Sequence, residues 1–275
     1  MRSEEVIEMR RFKREEVLVR LQEKIARKQP IVACGAGCGL IAKAAQNAGI
    51  DFIYAASTAK LRADGMAAGL AALPYIDSNE ITLKMASRLL PIMDETPVLA
   101  GIGAADAYKN VDVLIDKVRA AGFSGVTNIP TMGMYDDADR KELDGSGLGL
   151  DSELDMIRKC RAQSVFIMAF ATSARDAAAM ANAGADVIVA HCRHAGKGTL
   201  DDACADMKKI IDAAKKENAG VITMIRSCRF TTHDQVRHEL IETGAAGFVG
   251  AEAIEKVPVI KALNEIYADM LKIRA

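Results

Sequence analysis

Residues 30–57 read PIVACGAGCGLIAKAAQNAGIDFIYAAS, and this stretch contains one complete copy of the pattern that decides the fold. A short apolar run is followed by a turn and by the amphipathic segment GLIAKAAQNAG, after which a second apolar run begins. The apolar runs are continuous rather than alternating, which is typical of strands buried on both faces of a parallel sheet. The helical segment stops at Gly49, a residue type common at helix C-termini. The stretch therefore predicts a strand, a helix and a second, parallel strand.

The same pattern occurs eight times along the chain. We expect strands to begin near residues 31, 52, 97, 125, 165, 186, 220 and 246. Eight strand-then-helix units in 275 residues match the count and length of a (β/α)8 TIM barrel. A doubly wound α/β sheet is the alternative, but it usually has about five to seven strands, and no GxGxxG motif follows a strand here. We predict one barrel domain, 1–275, whose residues 1–29 form a helical extension that covers the barrel bottom or makes an oligomer contact.

Composition narrows the class of protein further. The chain is 50% hydrophobic and 27% charged with a net charge of −1, which excludes an intrinsically disordered chain. The small net charge, 4% aromatic residues and lack of Trp disfavour a nucleic-acid-binding surface. No apolar run reaches the ~18 residues needed to span a bilayer, the charged N-terminus does not read as a secretory signal, and six scattered cysteines indicate reduced thiols. We expect a cytoplasmic protein with no nucleic-acid and no membrane partner.

Two of the predicted strand-to-helix connections are long, namely residues 58–79 and 131–150. In a TIM barrel these connections lie on the face where active sites are built. Loops of more than about a dozen residues in a compact domain are usually functional. We therefore expect both connections to roof a site, although oligomer contacts are the alternative.

Three candidate catalytic residues lie where predicted strands end. His191 ends the sixth strand and suits proton transfer near neutral pH, although a strand-end His can also be a buried polar group bonded to a loop carbonyl. Asn128 ends the fourth strand, where its amide could stabilise an enolate or tie down its own loop. Glu252 follows the eighth strand and is predicted to be a second acid/base group or a metal ligand.

The predicted substrate-binding residues suit a small anionic metabolite. Arg226, after the seventh strand, and Arg62, in the 58–79 connection, can bind a carboxylate or phosphate through two nitrogens. Arg229 is a further cationic candidate whose default reading is solvated surface. Ser57 and Asp106 follow the second and third strands; Asp106 could instead cap a helix.

Glycines in the GAGCG run offer a different kind of anion site. Gly35 and Gly37 precede the first barrel helix, where backbone N–H groups can hold an anion. The alternative is that these glycines only permit a tight turn. Both interpretations stay open from the sequence.

A metal site is a weaker prediction. Asp106 and Glu252, together with Asp136 or Asp137, could hold Mg²⁺, which prefers oxygen ligands, but no spacing rule supports this set. His194 could join His191 on a metal, although two His without a third ligand are a weak signal. The cofactor is therefore unknown, with Mg²⁺ as one possibility.

Several segments together resemble the phosphoenolpyruvate hydrolase-like TIM-barrel family, which is placed near phosphoenolpyruvate mutase and isocitrate lyase. The most specific are GAGCGLIAK (35–43) and GFSGVTNIPTMG (122–133). The same domain forms the C-terminal half of a plant tobamovirus-resistance protein. The resemblance implies a TIM barrel, a homo-oligomer, and a hydrolase or lyase that acts on a small 2-oxo or enolpyruvyl acid by hydrolysis or by C–C or C–O cleavage. Few aromatics, many Ala and Met residues and an extra amphipathic helix also favour self-association.

The chain departs from the family pattern after three strands. Residues 55–58 are Ala-Ala-Ser-Thr where the family tends to have Tyr-Asn-Ser-Gly. Residues 226–229 are Arg-Ser-Cys-Arg in place of His-Gly-Gly-Pro, and residues 250–253 are Gly-Ala-Glu-Ala in place of Gly-Ala-Ser-Ser. Barrels commonly hold phosphate after strands 7 and 8, so these changes predict a divergent member with a changed substrate. A non-catalytic regulatory or ligand-binding barrel is the alternative function.

Overall fold

Eight parallel strands form a closed barrel in chain order in the computed structural model, which describes residues 11–192, 198–226 and 232–274. The predicted barrel is confirmed, and every predicted strand start lies within two residues of the observed one. The strands are β1 (Ile31–Gly35), β2 (Phe52–Ala55), β3 (Val98–Gly101), β4 (Gly125–Thr127), β5 (Phe166–Ala171), β6 (Val187–His191), β7 (Ile222–Arg226) and β8 (Gly247–Gly250).

Helices surround the barrel and also occupy the two long connections. Residues 58–79 and 131–150 are largely structured: the first contains a helix and the 3₁₀ turn Ala68–Ala72, and the second contains an extra helix capped by Asp136. Within the described residues, none of the helices has the length and apolar character needed to cross a membrane. The helices are α1 (Arg14–Ala26), α2 (Gly39–Asn47), α3 (Ser57–Ala63), α4 (Ser78–Leu89), α5 (Val111–Ala121), α6 (Asp137–Gly145), α7 (Leu150–Ala162), α8 (Ala174–Ala183), α9 (Leu200–Glu217), α10 (His233–Thr243), α11 (Glu252–Glu255) and α12 (Val257–Met270).

Side-chain alternation along the strands creates two separate apolar clusters. One cluster fills the barrel interior and includes Phe52, Leu99 and Phe170. The other lies between strands and helices and includes Ile53 and Val126. Because successive strand residues face opposite sides, membership of these clusters fixes which residue at each strand end points into the mouth of the barrel.

Helix α1 closes the bottom of the barrel. Val17 and Leu21 are each 1% exposed and belong to the interior cluster. Arg14 binds the carboxylate of Asp186, which lies just before β6, with Nε at 3.0 Å from both oxygens. The backbone N–H of Phe12 donates to Oγ of Ser124, just before β4. These contacts are all made at the N-terminal ends of strands, so the mouth is at the opposite end.

Helix α12 lies away from the barrel wall and has no buried residue. Its apolar side chains recur every three or four residues and are 42–61% exposed at Val257, Ile260, Leu263, Ile266 and Met270. The outside of β1 and β8, which the eighth helix of a TIM barrel normally covers, instead carries a cavity of about 720 Å³. We call this cavity the outer groove; its apolar lining includes Val32, Val236, Leu240 and Phe248.

Candidate active site

His191 and Arg226 form a pair at the mouth. They are the last residues of β6 and β7, they lie in register, and both continue the inward-facing series of their strands. Nη1 of Arg226 contacts Nε2 of His191 as a hydrogen bond, and both residues are half-buried. Since guanidinium has no acceptor, Nε2 must be the acceptor, and the neutral imidazole then carries its proton on Nδ1. The pair therefore combines a fixed cation with a ring that can accept a proton.

A second group at the mouth consists of Tyr54, Arg62 and Glu255, which we call the buried charge cluster. Nη2 of Arg62, on α3, donates to Oε1 of Glu255, on α11. The side chains of Arg62 and Glu255 are each 4% exposed, and Tyr54 is 2% exposed. Sequence reasoning found Arg62 but missed Tyr54 and Glu255. The continuous apolar run of β2 hides Tyr54, whereas its spacing of two from Phe52 was the available signal.

Burial and charge act against each other in this cluster. Burial raises the pKa of Glu255, although Arg62 opposes the change. Burial alone would lower the pKa of Arg62, but Tyr54 and Glu255 outweigh it and raise that pKa. Burial also raises the pKa of Tyr54, against the opposing charges of Arg226 and Arg62. Tyr54 is thus a neutral phenol at neutral pH, and it lies within the electrostatic reach of both arginines.

Phe170 joins the two groups. Its ring stands edge-on to Tyr54 at 6.0 Å between centroids and edge-on to His191 at 6.1 Å. Gly35 leaves room on the other side of the cluster, since a Cβ there would lie 3.0 Å from Tyr54 Oη and 3.1 Å from Glu255 Oε1. The backbone of Gly35 was predicted to bind substrate; the structure gives it the additional role of making space for these side chains.

Asn128 does not point into the mouth, which corrects the sequence-based placement. It follows the outward-facing Val126 and is 0% exposed. Its Oδ1 accepts from the backbone N–H of Phe170 at 2.7 Å, and its Nδ2 donates to the carbonyl of Phe170 at 3.1 Å and to Thr131 Oγ1 at 3.3 Å. The β4–β5 backbone ladder ends at Thr127 and Met168. The Asn128 amide therefore extends that ladder by one more pairing.

Glu252 is also misplaced by the sequence-based interpretation. Its side chain is 59% exposed and bonds to Lys256 at 3.0 Å on the outer face of α11. Glu255, one helical turn later, is the carboxylate that enters the mouth. Residues three apart on a helix lie on neighbouring faces, so a small rotation of this short helix decides which glutamate is buried.

The remaining predicted substrate-binding residues have structural contacts. A Cβ at Gly37 would lie 2.1 Å from the carbonyl oxygen of Ala59, so this glycine lets α3 pack against the chain between β1 and α2. Asp106 accepts from Asn79 Nδ2 at 2.9 Å and from the N–H of Tyr108 at 3.0 Å, whereas Asn110 caps α5. Neither residue adds a group to the mouth.

Three hydroxyl groups near the mouth make no hydrogen bond to any described residue. Ser57, the first residue of α3, is 0% exposed. Thr127 pairs in register with Gly101 and follows the inward-facing Gly125, while Thr172 follows the inward-facing Phe170. The two threonines were missed by sequence reasoning because each lies one residue away from a more conspicuous polar or apolar position.

A buried glutamate supports the loop after β4. Glu153, on α7, is 1% exposed and accepts from the N–H of Met132 at 3.0 Å. Burial raises its pKa to about 7, with the neighbouring Met132 N–H, Thr131 and Asn128 acting in the opposite direction. Glu153 therefore holds a loop of the mouth from behind the strands.

The two long connections meet above the barrel. Tyr135 Oη donates to the carbonyl of Ala72 at 2.6 Å, which links the 131–150 connection to the 58–79 connection. Ser78 Oγ in turn donates to the carbonyl of Ala71 at 2.5 Å. His194 and Arg229, the other candidates, lie outside the described residues.

Comparison with known proteins identifies the family. A profile described as phosphoenolpyruvate hydrolase-like matches residues 16–273. The chain belongs to the phosphoenolpyruvate hydrolase-like family. The ToMV susceptible protein tm-1(GCR26) of Solanum lycopersicum is 32% identical over 261 residues, which cover 92% of this chain. The chain spans about a third of that relative's length, with 35% covered.

Two solved structures show the same fold as this phosphoenolpyruvate hydrolase-like chain. Phosphonopyruvate hydrolase in complex with oxalate and Mg²⁺ superposes with a TM-score of 0.62 at 18% identity, covering 93% of this chain and 87% of that one. A 2,3-dimethylmalate lyase, of the PEP mutase/isocitrate lyase superfamily, has a TM-score of 0.62 at 17% identity, covering 94% and 87%.

The donor groups of this phosphoenolpyruvate hydrolase-like chain do not fit a Mg²⁺ ion. Among the described residues, no three His, Cys, Asp or Glu side chains come together as a metal site. The carboxylates proposed from sequence are dispersed: Asp106 binds Asn79, Glu252 binds Lys256, and Asp136 caps α6. The one carboxylate in the buried charge cluster, Glu255, is bonded to Arg62. No step below is therefore routed through a metal.

Proposed function

We propose that this chain is an enzyme that acts on a small anionic 2-oxo or enolpyruvyl acid, by hydrolysis or by cleavage of a C–C or C–O bond. The contact between Arg226 and His191 at the mouth carries the proposal. Family membership supports it, as does the similarity in fold to a phosphonopyruvate hydrolase and a dimethylmalate lyase.

The roles follow from the chemistry of the pair. A substrate carboxylate binds the guanidinium of Arg226, since planar Arg and carboxylate groups form paired hydrogen bonds. That binding draws Arg226 away from Nε2 of His191, and the lone pair of Nε2 becomes available to take a proton. The hydroxyls of Thr127 and Thr172 supply neutral donors for an enolate oxygen, the role assigned to Asn128 from sequence.

Kinetic analysis of variants tests the proposal. Purified protein is assayed with phosphonopyruvate, phosphoenolpyruvate and oxaloacetate, with and without Mg²⁺, by coupling pyruvate release to NADH oxidation and by following loss of the 2-oxo group. His191→Ala should lower kcat by about 10²–10⁴-fold, the usual contribution of one acid/base group. Arg226→Ala should mainly raise KM, because a clamp on an unreacting carboxylate binds ground and transition states alike.

The control is His233→Ala, since His233 is exposed at the start of α10. It should match wild type in both constants. Turnover in wild type that His191→Ala does not reduce would refute the assignment. A protein that binds these acids without turning any of them over would instead be the ligand-binding barrel considered as the alternative.

We further propose that the enzyme is a homo-oligomer in which α12 of one copy lies in the outer groove of another. The exposed stripe of α12 and the outer groove are two unpartnered apolar surfaces on the same chain, and the groove lies where an eighth helix is expected. Burial of a leucine-sized side chain contributes about 1.5–3 kcal/mol, so the stripe is a large driving force for docking.

Light scattering tests the assembly. Wild type should have a mass that is a multiple of 29.4 kDa. Leu263→Glu, in the stripe, should shift the mass toward the single chain, whereas Lys261→Glu, a charged position on the same helix, should not. A 29.4 kDa particle for wild type at micromolar concentration would end the proposal.

A further inference from the structure

Arg62 is already bound to an anion that belongs to the chain itself. Its guanidinium donates through Nη2 to the carboxylate of Glu255, and both side chains are 4% exposed. This contact has the same chemistry as the binding of a small carboxylic acid to arginine. The buried Nε of Arg62 makes no hydrogen bond to any described residue, so the guanidinium retains donor capacity that Glu255 does not use.

The charges at the mouth divide into a neutral pair and a single cation. Arg62 and Glu255 cancel, while Arg226 is bonded to the uncharged His191 ring. The mouth with the pair closed therefore presents one net positive charge from these four groups. A monoanion matches that charge, but a dianion needs a second cation, which only the release of Arg62 from Glu255 provides.

Glu255 lies on an element that can release it. Helix α11 has only four residues, and it continues directly into α12, which packs against no part of the barrel in this chain. Glu255 reaches Arg62 from the far side of β1, because α3 follows β2 whereas α11 follows β8. Separation of the pair thus requires movement of one short helix and leaves the strands in place.

We propose that Glu255 is a specificity-determining residue that limits the charge of the ligand by occupying Arg62. This inference rests on the anion site of the proposed function and deepens it. With the pair closed, Arg226 binds the carboxylate of a monoanion. A dianion binds with both arginines only after displacing Glu255, so its apparent affinity is reduced by the fraction of molecules in which the pair is closed.

Oxalate and oxamate are matched probes of this limit. They have nearly the same size and planar shape, but at neutral pH oxalate carries two negative charges and oxamate carries one. Their dissociation constants are measured by isothermal titration calorimetry for wild type and variants. Binding is the readout, so a protein that binds both probes but turns over no substrate would contradict the proposed function without touching this inference.

Glu255→Gln keeps the shape of the side chain and removes its charge. Oxalate should then bind at least about tenfold more tightly, since the competing carboxylate is gone, while oxamate should change by less than about threefold. Glu252→Gln is the control, because it removes an exposed carboxylate from the same short helix. It should leave both affinities unchanged.

Arg62→Gln tests the same contact from the other side and serves if Glu255→Gln does not fold. It should weaken oxalate by at least about tenfold and leave oxamate within about threefold. Weaker binding of both probes to Glu255→Gln would overturn the proposal, because Glu255 would then serve only to orient Arg62. Equal effects of Arg62→Gln on the two probes, or no binding of either probe to any variant, would also overturn it.

Discussion

Replacement of Asn128 by alanine should destabilise the protein rather than remove a catalytic group. The amide of Asn128 satisfies both the N–H and the carbonyl of Phe170, at 2.7 and 3.1 Å, and all three groups are buried. Alanine leaves the two backbone groups without partners. Each buried, unsatisfied polar group costs about 1–3 kcal/mol, so the free energy of unfolding should fall by about 2–5 kcal/mol.

Urea unfolding followed by circular dichroism measures this loss, since the chain has no Trp for fluorescence. Asn182→Ala is the matched control, because Asn182 is exposed on α8, and it should change stability by less than about 0.5 kcal/mol. Asn128→Asp should lose at least as much as Asn128→Ala at neutral pH, since a buried carboxylate cannot donate to the carbonyl of Phe170. A stable Asn128→Ala protein with lost activity would refute the reasoning and restore the amide to the substrate.

Three further predictions concern stability. Arg14→Ala leaves the buried carboxylate of Asp186 without its ion pair and should lower the free energy of unfolding by about 3 kcal/mol in urea; a loss below about 1 kcal/mol would mean that apolar contacts alone hold α1. Gly37→Ala should lower the melting temperature by at least about 5 °C, because its Cβ would lie 2.1 Å from a carbonyl oxygen. Gly69→Ala, with no atom within 4 Å of the new Cβ, should melt like wild type. The folded-state pKa of Glu153 is raised from 4.5 to about 7, so the stability from its protonated form is full below about pH 4.5 and is lost as the pH rises through 7. Between pH 5 and 8, wild type should therefore lose about 2–3 kcal/mol relative to Glu153→Gln; parallel pH profiles would contradict this.

The barrel could be predicted because its signal is repeated and does not depend on exact register. Each strand is a continuous apolar run, and each helical segment that follows has its own apolar face, so a shift of one or two residues changes no element. The same tolerance explains why the two long connections were predicted as loops although they contain α3 and α6. Their helices are short, and α6 has no buried residue, so its sequence lacks the apolar stripe that marks a packed helix.

The candidate site was harder to predict because it depends on single positions. Asn128 and Thr127 are neighbours at the end of β4, and alternation places only one of them in the mouth. The more polar residue was chosen from sequence, whereas the inward face belongs to Thr127. His191 and Arg226 were placed at strand ends by the same reasoning, and their contact depends on the register of β6 with β7, which no local pattern contains.

The buried charge cluster depends on the closure of the barrel. Arg62 and Glu255 are 193 residues apart in the chain, and they meet because β8 pairs with β1 and β1 pairs with β2. Charge pairing between such distant residues leaves no periodic signal. Only the short helix after β8 offered a hint, through two glutamates three residues apart, and it could not say which one turns inward.

The clamp made by Asn128 has a consequence for redesign of the mouth. Asn128 bonds only to the main chain of residue 170, so any side chain that fits the barrel at this position preserves the clamp. The ring of Phe170 meanwhile separates Tyr54 from His191 and sets the floor of the site. Position 170 is therefore one where natural drift or an engineer can reshape the ligand-binding surface while the attachment of β5 to β4 is inherited unchanged.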